Sequence, residues 1–165
     1  MSATKKTVAD AFGGVPTTLE EQRLIWPDAV HEDAIWEGPM FERPVTFIGF
    51  EATTRFFELL LRVVPRFSTA VVGAYPTTDP ETVIIESHGG GATADGGEYT
   101  QRYFSMITSK EGKTFRMREY CNPFQTYKAF GRERWETETA EIMEKYNRPW
   151  PASQAPDPIT LPPLV

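Results

Sequence analysis

The stretch Glu111-Gly-Lys-Thr-Phe-Arg-Met-Arg-Glu-Tyr-Cys-Asn-Pro-Phe124 decides the fold. It opens within Ser109-Lys110-Glu111-Gly112-Lys113, a hairpin turn signal in which glycine supplies the positive φ that tight turns need. Residues 114–122 after the turn read as one strand, and residues 98–108 before it as its partner. Alternation puts Met117, Glu119 and Cys121 on one face and Arg118 and Tyr120 on the other.

Upstream, Ser68 to Ala74 and Thr82 to Ser87 are short β-branched runs separated by Pro76-Thr-Thr-Asp-Pro80. Gly89-Gly90-Gly91 and Gly96-Gly97 read as punctuation of a hairpin loop. Before these strands the period is helical. Phe50 to Val64 is apolar around much of its circumference, as expected of a largely buried helix, and Pro65 stops it. Thr17-Thr18-Leu19-Glu20-Glu21 opens an earlier helix, ended or marked in its last turn by Pro27, and a short helix over Thr4 to Phe12 is expected before it. His31-Glu32-Asp33 reads as a polar, exposed turn and Ala34 to Glu37 as a short strand closed by Gly38-Pro39. Helices first and strands afterwards predict an α+β domain with an antiparallel sheet over residues 1–148. Glu133 to Tyr146 is a charged, helical segment. Residues 149–165 form a proline-rich tail, either extended or docked through Trp150, Ile159, Leu161 and Leu164.

Composition narrows the function. A net charge of -6 argues against a general nucleic-acid binder, which needs a basic surface. A single cysteine excludes an internal disulfide and multi-cysteine metal sites; two separated histidines offer no zinc spacing, so no metal and no cofactor are expected. Without an apolar run behind Lys5-Lys6 or a membrane-length stretch, a cytoplasmic protein is expected. Aromatic residues make up 13% of the chain, which fits either a well-packed core or a pocket for an apolar ligand.

The turn-and-strand segment resembles the last hairpin of the SnoaL-like, nuclear-transport-factor-2-like superfamily: an acid-Gly-Lys turn, then a strand ending in Arg-acid-Tyr and Asn-Pro. Asp33-Ala-Ile-Trp36-Glu37 is similar to that family's first strand, and Ile48-Gly49-Phe50-Glu51 to its turn into the closing helix. The resemblance spans residues 20 to 130 and is nearest in pattern to the phenazine biosynthesis A/B-type branch. It implies a cone-shaped barrel of strongly bent antiparallel sheet, helices closing one end over an apolar pocket, and a homodimer packed through the outer sheet face. In the phenazine proteins and in limonene epoxide hydrolase a carboxylate on this strand works in the pocket, and the matching position is Glu119. The phenazine branch's helix histidine and serine fall at Phe56 and Leu60. The hydrolase's strand tyrosine and asparagine fall at Trp36 and Gly38, and its arginine and aspartate near Ser87 and Gly89. The fold carries over and neither reaction does.

The candidate catalytic residues are Glu119, His88 and Tyr103. Glu119 reads either as a pocket acid with a raised pKa or as a surface glutamate paired with Arg116 or Arg118. His88, a natural proton shuttle beside three glycines, shares parity with Glu86 and faces either the pocket or the outside. Tyr103 or Tyr99 can polarise an oxygen. Trp36, Phe56, Leu60, Tyr99, Met117, Cys121 and Phe124 are the expected substrate walls. The expected activity is cofactor-independent acid–base chemistry of lyase, dehydratase or isomerase type on an apolar aromatic or polycyclic molecule. The rival is a non-catalytic binding or dimeric assembly protein on the same fold.

Overall fold

Thr18 caps the first helix among the described residues, its hydroxyl accepting from the Glu21 amide, and the chain then runs through Pro27 in the last turn. A computed structural model describes residues 16–149. In chain order its elements are α1 (Leu19–Ala29), β1 (Val30–Gly38), β2 (Val45–Ile48), α2 (Phe50–Val63), β3 (Ser68–Pro76), β4 (Thr82–Ala92), β5 (Glu98–Lys110), β6 (Lys113–Cys121), α3 (Pro123–Phe130) and α4 (Arg132–Tyr146). The helix expected over Thr4 to Phe12 and the tail beyond Pro149 lie outside the described residues.

One six-stranded curled sheet, ordered β2-β1-β6-β5-β4-β3, carries the architecture, and the α+β class is as expected. Its pairings are antiparallel except between β1 and β6, which run parallel. That exception was not legible, because local runs of residues reveal strands but not which distant strands meet. The β5–β6 hairpin closes as its sequence dictates. Glu111 and Gly112 both take positive φ (55° and 75°), the two-residue turn whose twist matches the flanking strands.

Several boundaries move. β1 begins at Val30 and absorbs the His31-Glu32-Asp33 segment; His31 is buried, its ring edge-on to Phe115, and its Nδ1 accepts from the Asp33 amide. Gly89-Gly90-Gly91 lies inside β4 instead of in a loop. A Cβ on Gly90 would stand 2.1 Å from the Tyr99 carbonyl oxygen, and one on Gly91 2.3 Å from that of Arg66. It is neighbouring backbone, not a ligand, that these glycines admit. The short strand β2 and the helix α3 had no reading in the sequence.

The sheet's concave face and the helices meet in an aromatic core. Phe56 of α2 stacks on Phe47 of β2 at 4.7 Å and packs against Trp36 of β1 at 4.2 Å. Trp135 of α4 meets Phe41 at 4.7 Å and Phe130 of α3 at 5.1 Å. Such pairs contribute about 0.5–1.5 kcal/mol each beyond simple area burial, so rings from five elements and from the β1–β2 connection lock the helices onto the sheet. Two side-chain amides extend the strand ladders. Gln101 donates to the Asn122 carbonyl at 2.8 Å and accepts from its amide at 3.1 Å; Asn147 likewise donates to Thr46 and accepts from Ile48. Gln101 thereby fixes the joint from which α3 departs. No helix among the described residues is long and apolar enough to cross a membrane.

Candidate active site

A cavity of about 70 Å³ lies between the concave sheet face and the helices. Strand alternation supplies its polar wall. Tyr99, Tyr103 and Ser105 point inward from β5, and Glu119 and Cys121 from β6. The ladder sets Tyr103 opposite Cys121 and Ser105 opposite Glu119. Rings and aliphatic groups supply the rest: Trp36 from β1, Phe56 and Leu60 from α2, Phe130 from α3 and Trp135 from α4, with Met117 below Glu119.

Glu119 is half-buried and lines the cavity. Surrounded by protein, its carboxyl is pushed up to about 7 by burial, while the Ser105 hydroxyl, donating to Oε2 at 3.3 Å, pulls partly the other way. The hydroxyls of Tyr99 and Tyr103 are hydrogen-bonded at 2.9 Å. Burial, more than any neighbour, drives Tyr99 up to about 12 and Tyr103 well above its ordinary value, so both remain neutral donors at physiological pH. Burial raises the Cys121 thiol as well, with the Glu119 charge adding to it, which removes the thiolate needed for nucleophilic attack. The arrangement therefore holds one carboxyl able to take or give a proton near neutrality, beside a paired phenol donor in apolar surroundings.

Most of the expected residues meet here: Glu119, Tyr103, Tyr99, Trp36, Phe56, Leu60, Met117 and Cys121 all line the cavity. Two do not. His88 is exposed on the outer face, opposite Arg102 in the β4–β5 ladder, and it is Ser87 that turns inward. It lines instead an open groove with Ser68, Gly89 and Asn122, and holds no position from which to relay a proton to Glu119. Phe124 is 76% exposed, because Pro123 starts α3 and a helical turn replaces the strand alternation that would have carried it inward. Ser105, Thr126, Phe41, Phe130 and Trp135 were missed. Ser105 shares parity with Tyr103, a signal that was present; Thr126 and Phe130 depend on the unread helix α3.

The pairing of Glu119 with Arg116 or Arg118 is not made. Both arginines lie on the other face and converge on Glu37, with contacts from 2.9 Å to 3.4 Å. Burial alone would raise the Glu37 carboxyl, but hydrogen bonds and charge from the two guanidiniums outweigh it and hold it below its ordinary value.

Comparison with known proteins agrees with this architecture. Residues 25–117 match the SnoaL-like domain family, a match that ends two residues before Glu119. An uncharacterized PhzA/B-like protein of Pseudomonas aeruginosa is 31% identical over 110 residues, covering 64% of this chain and 77% of that protein. A solved Bacillus subtilis structure, named provisionally as an isomerase, is 26% identical with a TM-score of 0.67, covering 79% of this chain and 96% of its own. A phenazine biosynthesis-related protein from Pseudomonas aeruginosa, 20% identical, shares the fold with a TM-score of 0.61 over 77% of this chain and 86% of its own. By sequence match and by its curled six-stranded sheet, the chain belongs to the SnoaL-like family and has the nuclear-transport-factor-2-like cone fold.

Proposed function

We propose that the protein is a cofactor-independent acid–base enzyme of lyase, dehydratase or isomerase type acting on a small apolar molecule. The observation that carries this reading is Glu119: a carboxyl with a pKa of about 7 on the wall of a cavity otherwise lined by apolar and uncharged polar side chains. In its ionised form it removes a proton from a carbon next to an oxygen-bearing centre. The Tyr99–Tyr103 pair donates to that oxygen as negative charge develops there, and the protonated carboxyl then returns the proton to another atom of the substrate. The surrounding rings keep water out and strengthen these few polar contacts. The provisional isomerase name of the Bacillus subtilis relative is in keeping with this chemistry.

The cavity's size refines the substrate. Its volume of about 70 Å³ is smaller than the ~150 Å³ cavity that takes benzene, so a polycyclic body does not fit this side-chain arrangement. A single ring needs movement of wall residues such as Leu60. We also read the outer sheet face as a homodimer seam. Phe104 and Tyr120 are cross-strand partners there and are 48% and 47% exposed, an adjacent aromatic pair that a second copy would cover.

The test compares wild type with Glu119→Gln on small hydroxylated aromatics, unsaturated ketones and epoxides, without added cofactor, by mass-resolved chromatography. Turnover that falls at least about a hundredfold in the variant supports the assignment. Equal turnover by both proteins removes Glu119 from the chemistry. Tight binding with no turnover by either favours a ligand-binding protein.

A further inference from the structure

The cavity wall is one-sided in charge. Among the described residues it contains no lysine, arginine or histidine, and its ionisable side chains are Glu119, Tyr99, Tyr103 and Cys121. A carboxylate or phosphate entering it would shed hydration and meet Glu119 with no cation to replace the lost water.

The wall also carries donor capacity without a receiver. Trp36 is 2% exposed, and its indole Nε1–H has no hydrogen-bond acceptor. The Thr69 hydroxyl, also in the wall, has no partner. Buried indole N–H groups normally find an acceptor, so an orphan on a residue that lines a cavity is a place where a ligand atom is expected. Its position fits the site: Trp36 pairs with Met117 in the parallel β1–β6 ladder, and Met117 precedes Glu119 by one inward-facing position.

We propose that the cavity selects an uncharged compound bearing an acceptor oxygen, and that Trp36 Nε1–H donates a hydrogen bond to that oxygen. Trp36 is then a specificity-determining residue and not only a ring in the wall. This inference rests on the reading of the cavity as the active site; it adds that the substrate reaches Glu119 without a carboxylate or phosphate of its own.

Three small probes of one shape, with four heavy atoms each, test it: acetone, its hydrocarbon counterpart 2-methylpropene, and acetate. Each is titrated at pH 8 into wild type and Trp36→Phe and followed by protein NMR. The ketone is expected to bind wild type at least about tenfold more tightly than acetate. Trp36→Phe, which keeps a ring, should weaken the ketone about fivefold to tenfold, the scale of one hydrogen bond, and leave the alkene unchanged. In wild type the ketone should shift the Trp36 indole proton downfield and the alkene should not, a readout that does not depend on the variant folding. Acetate binding as tightly as the ketone, absence of ketone binding, equal weakening of ketone and alkene, or an unmoved indole proton would each overturn the proposal. Its failure is separable from that of the proposed activity, because the loss or survival of turnover in Glu119→Gln is measured independently of ligand charge.

Discussion

Ser105 and Glu119 face each other across the β5–β6 ladder, and the serine hydroxyl donates to the carboxylate at 3.3 Å. The bond favours the ionised carboxyl, so it sets how far burial can raise the pKa. Ser105→Ala should move the Glu119 titration upward from about 7 by up to about one pH unit. Carbon-13 NMR of the Glu119 carboxyl would follow it, and an unmoved or lowered midpoint would contradict the role given to Ser105.

The same carboxyl makes stability depend on pH. An unfolded glutamate releases its proton near 4.5, whereas Glu119 in the folded protein holds it to about 7. The folded state thus binds the proton more tightly, and stability should fall as pH rises between those values and level off above. Glu119→Gln removes this dependence and should be more stable than wild type at pH 8, relative to pH 5, by up to about 3 kcal/mol. Urea unfolding at the two pH values measures the difference; a variant whose offset is the same at both would show that Glu119 titrates normally.

Glu37 behaves in the opposite sense. Its carboxyl is held low by Arg116 and Arg118, so its contribution is present above the unfolded pKa and lost as pH falls through the folded one. Glu37→Gln should cost about 1–3 kcal/mol at pH 7, less than a wholly buried pair because solvent reaches the Arg118 side chain. The cost should shrink in acid below about pH 4. Thermal unfolding across this range would show it, and a constant penalty would point to packing instead of charge.

For the outer face, wild type is expected to run as a dimer in size-exclusion chromatography with light scattering at micromolar concentration. Phe104→Asp should convert it to a folded monomer. A monomeric wild type would remove the seam assigned to Phe104 and Tyr120.

Much of this was legible in the residues. The Glu111-Gly112 turn fixed the hairpin and, through alternation, the face that Glu119 shares with Met117 and Cys121. Phe50 to Val63 was bounded by its own apolar pattern and by Pro65. What failed was the choice between faces where both look alike. In Val83-Ile84-Ile85-Glu86-Ser87-His88, alternation yields two sets but does not say which faces the helices; packing against Ile107 and Met117 selects Val83 and Ile85, and with them Ser87 instead of His88. The parallel β1–β6 pairing and the helix at Pro123 are products of tertiary contact and had no local signature strong enough to read.

The cavity's acid–base groups and much of its apolar wall come from different parts of the chain. Glu119, Ser105 and the tyrosine pair sit on adjacent, fully laddered strands, whereas Phe56, Leu60, Phe130 and Trp135 reach in from helices. Reagent and mould are therefore separable. Randomising those four helix positions would reshape what is admitted while the proton donor keeps its backbone setting, which gives an experimenter, or evolution, a way to change substrates without rebuilding the chemistry.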